Sequence, residues 1–196
     1  MAGSTDTPRF RQGAGRLCLD FIRTLRHRGT AHATEELADP AALSAWVTQF
    51  ATCEVGSSGL VRGTTQVVEA RSLREAIYEL LAAARTAAGA GSCRGAARDR
   101  INQAASLPVP APNMDASGHL RWHADDPVAA TLALAARDAL DLAGSAAIER
   151  VRGCANPACG ALFLDSSRPG TRRWCSMGTC GNLAKKETLR ARTGPA

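Results

Sequence analysis

The chain between residues 154 and 192 reads CANPACGALFLDSSRPGTRRWCSMGTCGNLAKKETLRAR. It contains two cysteine pairs, each enclosing four residues, with fifteen residues between the pairs. Short-spaced pairs on either side of a hairpin-sized gap are typical of chains that bring four thiolates to one tetrahedral zinc ion. The spacing therefore predicts a Zn²⁺ site with the ligands Cys154, Cys159, Cys175 and Cys180.

Other uses of these cysteines stay open at the level of sequence. They could be reduced core thiols or two disulfides, and a four-thiolate site can also hold iron. About 45 residues bury too little apolar surface to fold alone, so metal binding is expected to supply the missing stability. Four protein ligands leave no open coordination position, so the ion should be structural and not catalytic.

The residues around the cysteines predict a treble-clef-like finger. Residues 154–160 form a first knuckle, and 161–164 and 172–174 are expected to pair as a hairpin across a turn at 165–170. Asn182 is expected to cap a final helix over about 183–192.

Charge is distributed unevenly along the chain. Residues 151–196 contain eight Lys and Arg against two Asp and Glu, a net charge of +6, whereas residues 1–150 contain sixteen of each sign. A focused positive field favours a polyanion, although a basic face can also serve solubility alone. No aromatic ladder accompanies these residues, which favours duplex DNA over a single strand. The candidate contacts are Arg168, Arg172 and Arg173 on the hairpin and Lys185, Lys186, Arg190 and Arg192 on the last helix.

The residues before the finger predict a mostly helical domain. We expect a flexible tail over 1–13, a mainly helical domain over 14–148 and the finger over 149–193, giving an α+β protein. Apolar periodicity and Pro or Gly boundaries predict helices over about 15–28, from Pro40 to about 51, 64–89, 94–106 and 127–147, with a small β-hairpin turning near 115–118.

Asp20 lies in the otherwise apolar first helix, one turn before its natural partner Arg23. It could be a hydrogen-bonded structural carboxylate, an exposed residue, or, together with Arg23, part of a ligand site.

Composition excludes several classes. No apolar run reaches 18 residues, so no membrane span is expected, and the first residues do not read as a signal peptide. Seven cysteines without a secretory signal indicate a reducing compartment, so we expect a cytoplasmic protein. No phosphate loop, serine-nucleophile elbow or convincing carboxylate pair is present, so no enzyme is expected.

The finger resembles a known family, the CGNR-type zinc fingers. The residues that carry the resemblance are Cys154, Cys159-Gly160, Leu162 to Asp165, Arg173 to Met177, Cys180 to Asn182, Lys185 and Arg192. The naming motif ends in Arg where this chain has Leu183, and Lys185 and Lys186 lie close enough to compensate.

The stretch LCLDFIRTL, residues 17–25, resembles the ABATE-like helical domain that usually precedes this finger, with Arg23 where the usual pattern has Asn. The resemblance implies a stress-induced transcription regulator that binds DNA through the finger. The leading hypothesis is therefore a regulator in which the helical domain senses a small-molecule effector or forms a homodimer. The alternative is an adaptor whose finger binds RNA or an acidic protein.

Overall fold

The computed structural model of the chain describes residues 10–56, 61 and 63–192, with the backbone alone for residues 191 and 192. Within this part, no helix is long and apolar enough to cross a membrane. The helices are α1 (Leu17–Ile22), α2 (Pro40–Phe50), α3 (Thr64–Ala84), α4 (Gly95–Ser106), α5 (Pro127–Gly144) and α6 (Asn182–Arg192). The strands are β1 (Leu25–Arg26), β2 (Thr34–Glu35), β3 (Ala111–Met114), β4 (Leu120–His123), β5 (Val151–Gly153) and β6 (Leu162–Leu164).

Two helix starts follow from an aspartate placed before a proline. Asp39 accepts a hydrogen bond from the Ala42 amide at 2.7 Å, and Asp126 accepts one from the Ala129 amide at 2.9 Å. The prolines that follow occupy the first helical turn, where a missing N–H costs nothing. These caps fix where α2 and α5 begin, as the sequence predicted.

The core of the helical domain forms where α1, α2, α3 and α5 meet. Trp46 is fully buried, with its ring 4.7 Å from that of Phe21 and 5.1 Å from that of Phe50. Few aromatic residues are available, so small and aliphatic side chains of α3 and α5 fill most of the remaining space. The predicted α+β class with a largely helical first domain is confirmed.

The first helix is shorter than predicted. It ends at Ile22, because the Thr24 hydroxyl donates to the Phe21 carbonyl at 2.8 Å and the chain then turns into β1. Strand β1 pairs antiparallel with β2, with Leu25 opposite Glu35. Residues 23–28, which were predicted to be helical, therefore lead into and form part of a small hairpin that packs beside the finger.

The predicted hairpin near 115–118 is confirmed. Strands β3 and β4 pair antiparallel with Met114 opposite Leu120. The Asp115 carboxylate closes the turn by accepting from the amides of Ser117 and His119, both at 2.9 Å.

The strand pairing predicted within the finger is wrong. Strand β6 pairs antiparallel with β5, with Val151 opposite Leu164, and not with residues 172–174. The Asp165 carboxylate accepts from the Arg172 amide at 2.9 Å, which uses a backbone donor that strand pairing would need. Residues 171–174 consequently run as irregular chain.

The finger packs directly on the helical domain. The Leu164 amide donates to the Ala14 carbonyl at 2.8 Å, and Phe163 of β6 is fully buried in the shared core. Phe10 is also buried, and its backbone N–H and C=O bond the Gln49 side chain at 2.9 and 2.8 Å. Residues 10–13 are therefore anchored and not part of a flexible tail as predicted; residues 1–9 lie outside the described part.

Candidate metal centre and its basic surface

Four cysteine sulfur atoms converge at the base of the finger. The Sγ atoms of Cys154, Cys159, Cys175 and Cys180 all lie within 4.8 Å of one another. The Cys159–Cys175 separation is 3.6 Å and the Cys175–Cys180 separation is 3.7 Å. A zinc ion bound by four thiolates at about 2.3 Å requires sulfur atoms about 3.8 Å apart at the corners of a tetrahedron. The donor set and its spacing therefore fit a zinc ion.

The first knuckle is shaped by its own backbone. The Asn156 carboxamide oxygen accepts from the Ala158 amide at 3.0 Å, and the Cys159 amide donates to the Asn156 carbonyl at 2.9 Å. Gly160 then adopts a φ of +64°, which glycine tolerates best. The Asn156 side-chain nitrogen also lies 3.7 Å from Cys180 Sγ, so it can donate to a ligand sulfur and orient it.

The second knuckle ends in a single π-helical turn, Met177–Gly181, that runs directly into α6. The Gly181 amide donates to the Ser176 carbonyl at 3.0 Å. Asn182 does not cap α6 with its oxygen as predicted, because its side-chain nitrogen donates to the Gly178 carbonyl at 3.2 Å. Cys180 therefore enters the cluster from a wide turn whose geometry sequence spacing does not reveal.

The thiols influence one another's ionisation. The hydrogen bond between the two sulfur atoms lowers the pKa of Cys159 below its usual range, whereas the same contact raises the pKa of Cys175. One thiolate is therefore stabilised by its neighbours, and each further negative charge is repelled at this spacing. A divalent cation among the sulfur atoms removes that repulsion, which couples metal binding to proton release.

A turn of the helical domain supports the first knuckle. The His27 Nδ1 atom lies 2.7 Å from the Ala158 carbonyl oxygen. Its neighbour Arg28 forms an ion pair with Glu75, and the guanidinium lies 4.0 Å from the centroid of the Tyr78 ring. Glu75 and Tyr78 belong to α3. This helix therefore holds the turn containing His27 and Arg28 in place, and this turn supports the first knuckle of the metal centre.

The structure brings the candidate ligand pair Asp20 and Arg23 together, with 3.2 Å between Asp20 Oδ1 and Arg23 Nη1. The Asp20 carboxylate also accepts from the Gly13 amide at 3.2 Å and the Ala14 amide at 2.9 Å. Burial raises the pKa of Asp20, and these hydrogen bonds offset part of that effect. The geometry favours the structural alternative. Asp20 fixes residues 13 and 14, and the Ala14 carbonyl in turn accepts the hydrogen bond from Leu164 of β6.

The candidate nucleic-acid contacts fall into two groups. Arg172 is half-buried: its Nε donates to the Trp174 carbonyl at 2.9 Å and its Nη2 to the Cys175 carbonyl at 2.5 Å. Its guanidinium also lies 4.6 Å from the Phe163 ring centroid, so it holds the second knuckle in place. The side chain of Arg192 lies outside the described residues. The exposed members of the set are Arg168, Arg173, Lys185, Lys186 and Arg190.

Sequence reasoning missed several basic residues near the finger. Arg152 is exposed on β5, and Arg150 donates to the carbonyls of Asp165 and Ser167. Arg11 and Arg26 of the helical domain lie beside the π turn and α6. Of these four arginines, only Arg152 lies within residues 151–196 and was included in their net charge. The proximity of Arg11 and Arg26 to the finger becomes evident only in the folded structure.

Comparisons with known proteins agree with both resemblances. Residues 15–146 match the ABATE family model, described as "putative stress-induced transcription regulator", and residues 150–193 match the CGNR zinc finger model. Comparison with curated proteins gives no match. The two matched ranges include all of the elements described above, from α1 to α6. The chain therefore belongs to the ABATE family and carries a CGNR zinc finger whose four clustered cysteines can hold a zinc ion.

Proposed function

We propose that this zinc-finger regulatory protein binds duplex DNA, with Cys154, Cys159, Cys175 and Cys180 holding a structural zinc ion. The observation that carries the proposal is the location of the charge: the whole net excess of +6 lies in residues 151–196. Four thiolates around one Zn²⁺ contribute −2, which leaves about +4 on the finger. A field of that sign and size attracts the phosphate backbone over a range of about 10 Å.

The shape of the finger supports the same partner. Lys186 and Arg190 are four residues apart on α6, so they extend from one face of an exposed helix. Arg173 is exposed on the neighbouring irregular segment, with its guanidinium 5.3 Å from the centroid of the Trp174 ring. Basic side chains on a helix and an adjacent loop can reach successive phosphates and position a helix at a groove.

The helical domain is proposed to regulate the finger, through a small-molecule effector or through a homodimer. A groove of about 270 Å³ between α3, α4 and α5 supports the first of these roles. Its walls combine apolar side chains such as Leu73 and Val128 with the polar groups of Arg100 and Gln103, which is the mixture typical of ligand sites. We place such a regulator in the cytoplasm and assign it no enzymatic activity, in keeping with the regulatory description of its family.

Fluorescence polarisation of labelled random and genomic duplexes, titrated with the zinc-loaded full chain, tests the proposal. Binding should be strong at about 50 mM salt and weaken steeply as salt rises, with a slope of about −0.9 for each neutralised phosphate. Absence of duplex binding at low salt with zinc present would refute it. Binding that persists unchanged after chelation would show that the metal-built finger is not the contact.

An adaptor role is the second candidate, and one surface of the finger favours it. A groove of about 490 Å³ beside α6 is lined by Trp174, Met177, Ala184 and Lys185, with Met177 exposed over 54% of its surface. An apolar groove with a basic rim suits an amphipathic acidic peptide. Tight binding to an acidic helical peptide or to an RNA hairpin, with no affinity for duplex DNA, would favour this alternative.

A further inference from the structure

A second groove lies between the helical domain and the finger. Arg11, Arg26 and His27 form one wall, and Thr179 of the π turn and Lys186 of α6 lie on the other. Its volume is about 340 Å³, which is large enough for a phosphate group with part of the molecule that carries it. Neither domain could form this groove alone.

Three cationic side chains line the groove. Arg11, Arg26 and Lys186 line it, and no carboxylate does within the described part of the chain. Arg26 is partly neutralised by Glu36, whose Oε1 lies 3.3 Å from Arg26 Nη1. Arg11 and Lys186 form no ion pair with any described residue. Cys159 and Cys180 also line the groove, and a bound zinc ion offsets part of the negative charge of these thiolates, so Arg11 and Lys186 supply the positive charge available to an anion.

Two residues of the same groove carry unsatisfied polar atoms. Across the described residues, three buried side-chain polar atoms have no hydrogen-bond partner in the protein: Arg26 Nε, Thr179 Oγ1 and Trp46 Nε1. The first two belong to opposite walls of the groove, whereas Trp46 lies in the helical core. Leaving a buried donor unpaired destabilises the folded protein. Both atoms are buried below the groove surface, so an acceptor-rich anion bound in the groove would pair with them after a small rotation of the Arg26 and Thr179 side chains.

We propose that this groove is a phosphate-binding site shared by the two domains. Phosphate offers several acceptor oxygens and a charge that matches two free cations, and arginine is well suited to its geometry. In the DNA-bound protein the groove takes a phosphate of the duplex backbone, and this assignment of the source rests on the proposed function. The helical domain thereby contributes directly to the nucleic-acid interface through Arg11 and Arg26.

Leu183 also lines this groove and is half-exposed. An arginine at this position would add a fourth cation without displacing buried atoms. The substitution Leu183→Arg should therefore strengthen phosphate binding, which provides a gain of function that misfolding cannot imitate.

The test uses the zinc-loaded full chain and the variants Arg11→Gln, Thr179→Val and Leu183→Arg. Arg98→Gln is the matched control, because Arg98 is an exposed arginine on α4 that does not line the groove. Zinc content is measured for each variant, since Thr179 adjoins Cys180. Duplex affinity is measured by fluorescence polarisation at several salt concentrations, and inorganic phosphate binding by calorimetry at constant ionic strength.

If the groove holds a backbone phosphate, Arg11→Gln should weaken duplex binding about three- to tenfold and reduce the salt slope by about 1. Thr179→Val should weaken it without changing the slope, and Leu183→Arg should strengthen it, while Arg98→Gln matches the unmodified chain. If the chain does not bind the duplex but binds inorganic phosphate, and Arg11→Gln weakens that binding, the phosphate site is supported and the assignment of its phosphate to DNA is refuted. Groove variants that behave like Arg98→Gln in both assays would overturn the proposal.

Discussion

The carbonyl oxygen of Arg28 lies 2.6 Å from the position that a Cβ atom on Gly160 would occupy. Gly160 follows the metal-binding Cys159 in sequence, and Arg28 belongs to the turn between β1 and β2. Real Cβ atoms do not approach a backbone oxygen so closely, so the knuckle can meet the helical domain here only through a glycine. The contact ties the metal centre to the domain beneath it.

Replacing Gly160 with Ala should therefore destabilise the protein in two ways. The new Cβ would collide with the Arg28 backbone, and a φ of +64° is unfavourable for alanine. We expect a loss of about 3 kcal/mol in the free energy of unfolding, together with weaker zinc retention. Urea denaturation of the zinc-loaded chain measures the first and competition with a chromogenic chelator the second.

Gly118→Ala is the matched control for this substitution. Gly118 has a φ of +81° in the β3–β4 turn, but no atom lies within 4 Å of the point where its Cβ would stand. Gly118→Ala should lower the free energy of unfolding by about 1–2 kcal/mol, because only the unfavourable φ of the alanine contributes. Equal losses in the two variants would show that the Arg28 contact carries no energy.

Cys175→Ser should reduce bound zinc well below one ion per chain, because only three thiolates remain and two of the short sulfur contacts involve Cys175. Elemental analysis after dialysis measures the stoichiometry. Cys93→Ser is the control, since Cys93 is buried beside Glu79 and lies outside the cluster. Full zinc occupancy in Cys175→Ser would contradict the assigned ligand set.

Arg172 and Arg173 should separate stability from nucleic-acid binding despite being neighbours. Arg172→Gln removes donors to the Trp174 and Cys175 carbonyls, so it should lower thermal stability by about 1–3 kcal/mol at the melting temperature. Arg173→Gln leaves these contacts intact and should instead weaken duplex binding about three- to tenfold. Calorimetric melting and fluorescence polarisation on both variants distinguish the two roles. Weaker duplex binding in Arg172→Gln together with lower stability in Arg173→Gln would contradict this assignment.

The ion pair between Arg74 and Glu35 should give the protein a specific acid sensitivity. Burial alone would raise the pKa of Glu35, but hydrogen bonds from Arg74 at 2.6 and 2.7 Å outweigh it, and the pKa is lowered. The folded state therefore releases this proton more readily than the unfolded state. The stabilisation is complete above the ordinary glutamate pKa of about 4.3 and is lost as the pH falls through the lower folded-state value.

Glu35→Gln should accordingly lose about 1–3 kcal/mol at about pH 7 and progressively less as the pH falls below about 4. Denaturant unfolding between about pH 3 and pH 7 provides the profile. Glu69→Gln is the control, because Glu69 is exposed on α3 and has no ion pair among the described residues. A constant difference between Glu35→Gln and the unmodified chain across this range would contradict the linkage.

The sequence identified the features that depend on short-range chemistry. Cysteine spacing predicted the metal cluster, Pro40 predicted the start of α2, an Ala- and Leu-rich pattern predicted α5, and the Asp115–Gly118 segment predicted the turn between β3 and β4. Each of these features is decided by residues close together in the chain, so local patterns suffice to find it.

Features that depend on particular side-chain contacts were missed, because such contacts have no recognisable spacing in the sequence. The strand after the first knuckle could pair with residues on either side of it in sequence, and the Asp165 contact with the Arg172 amide decides against the later segment. The role of Arg172 depends on carbonyls of the second knuckle, and the groove depends on Arg11 meeting a turn near residue 179. Neither arrangement leaves a periodic signal in the chain.

The bond between Leu164 and Ala14 has a practical consequence for handling this regulator. Strand β6 of the finger is hydrogen-bonded to the segment that follows Phe10. Deleting this segment, or placing a bulky tag beside it, would therefore disturb the zinc finger. Excising residues 150–193 for separate study would strip β6 of this support and expose Phe163 to water. The finger is therefore an integral part of the folded protein. Transferring it to another protein would require a new surface to cover Phe163 and to pair with the Leu164 amide.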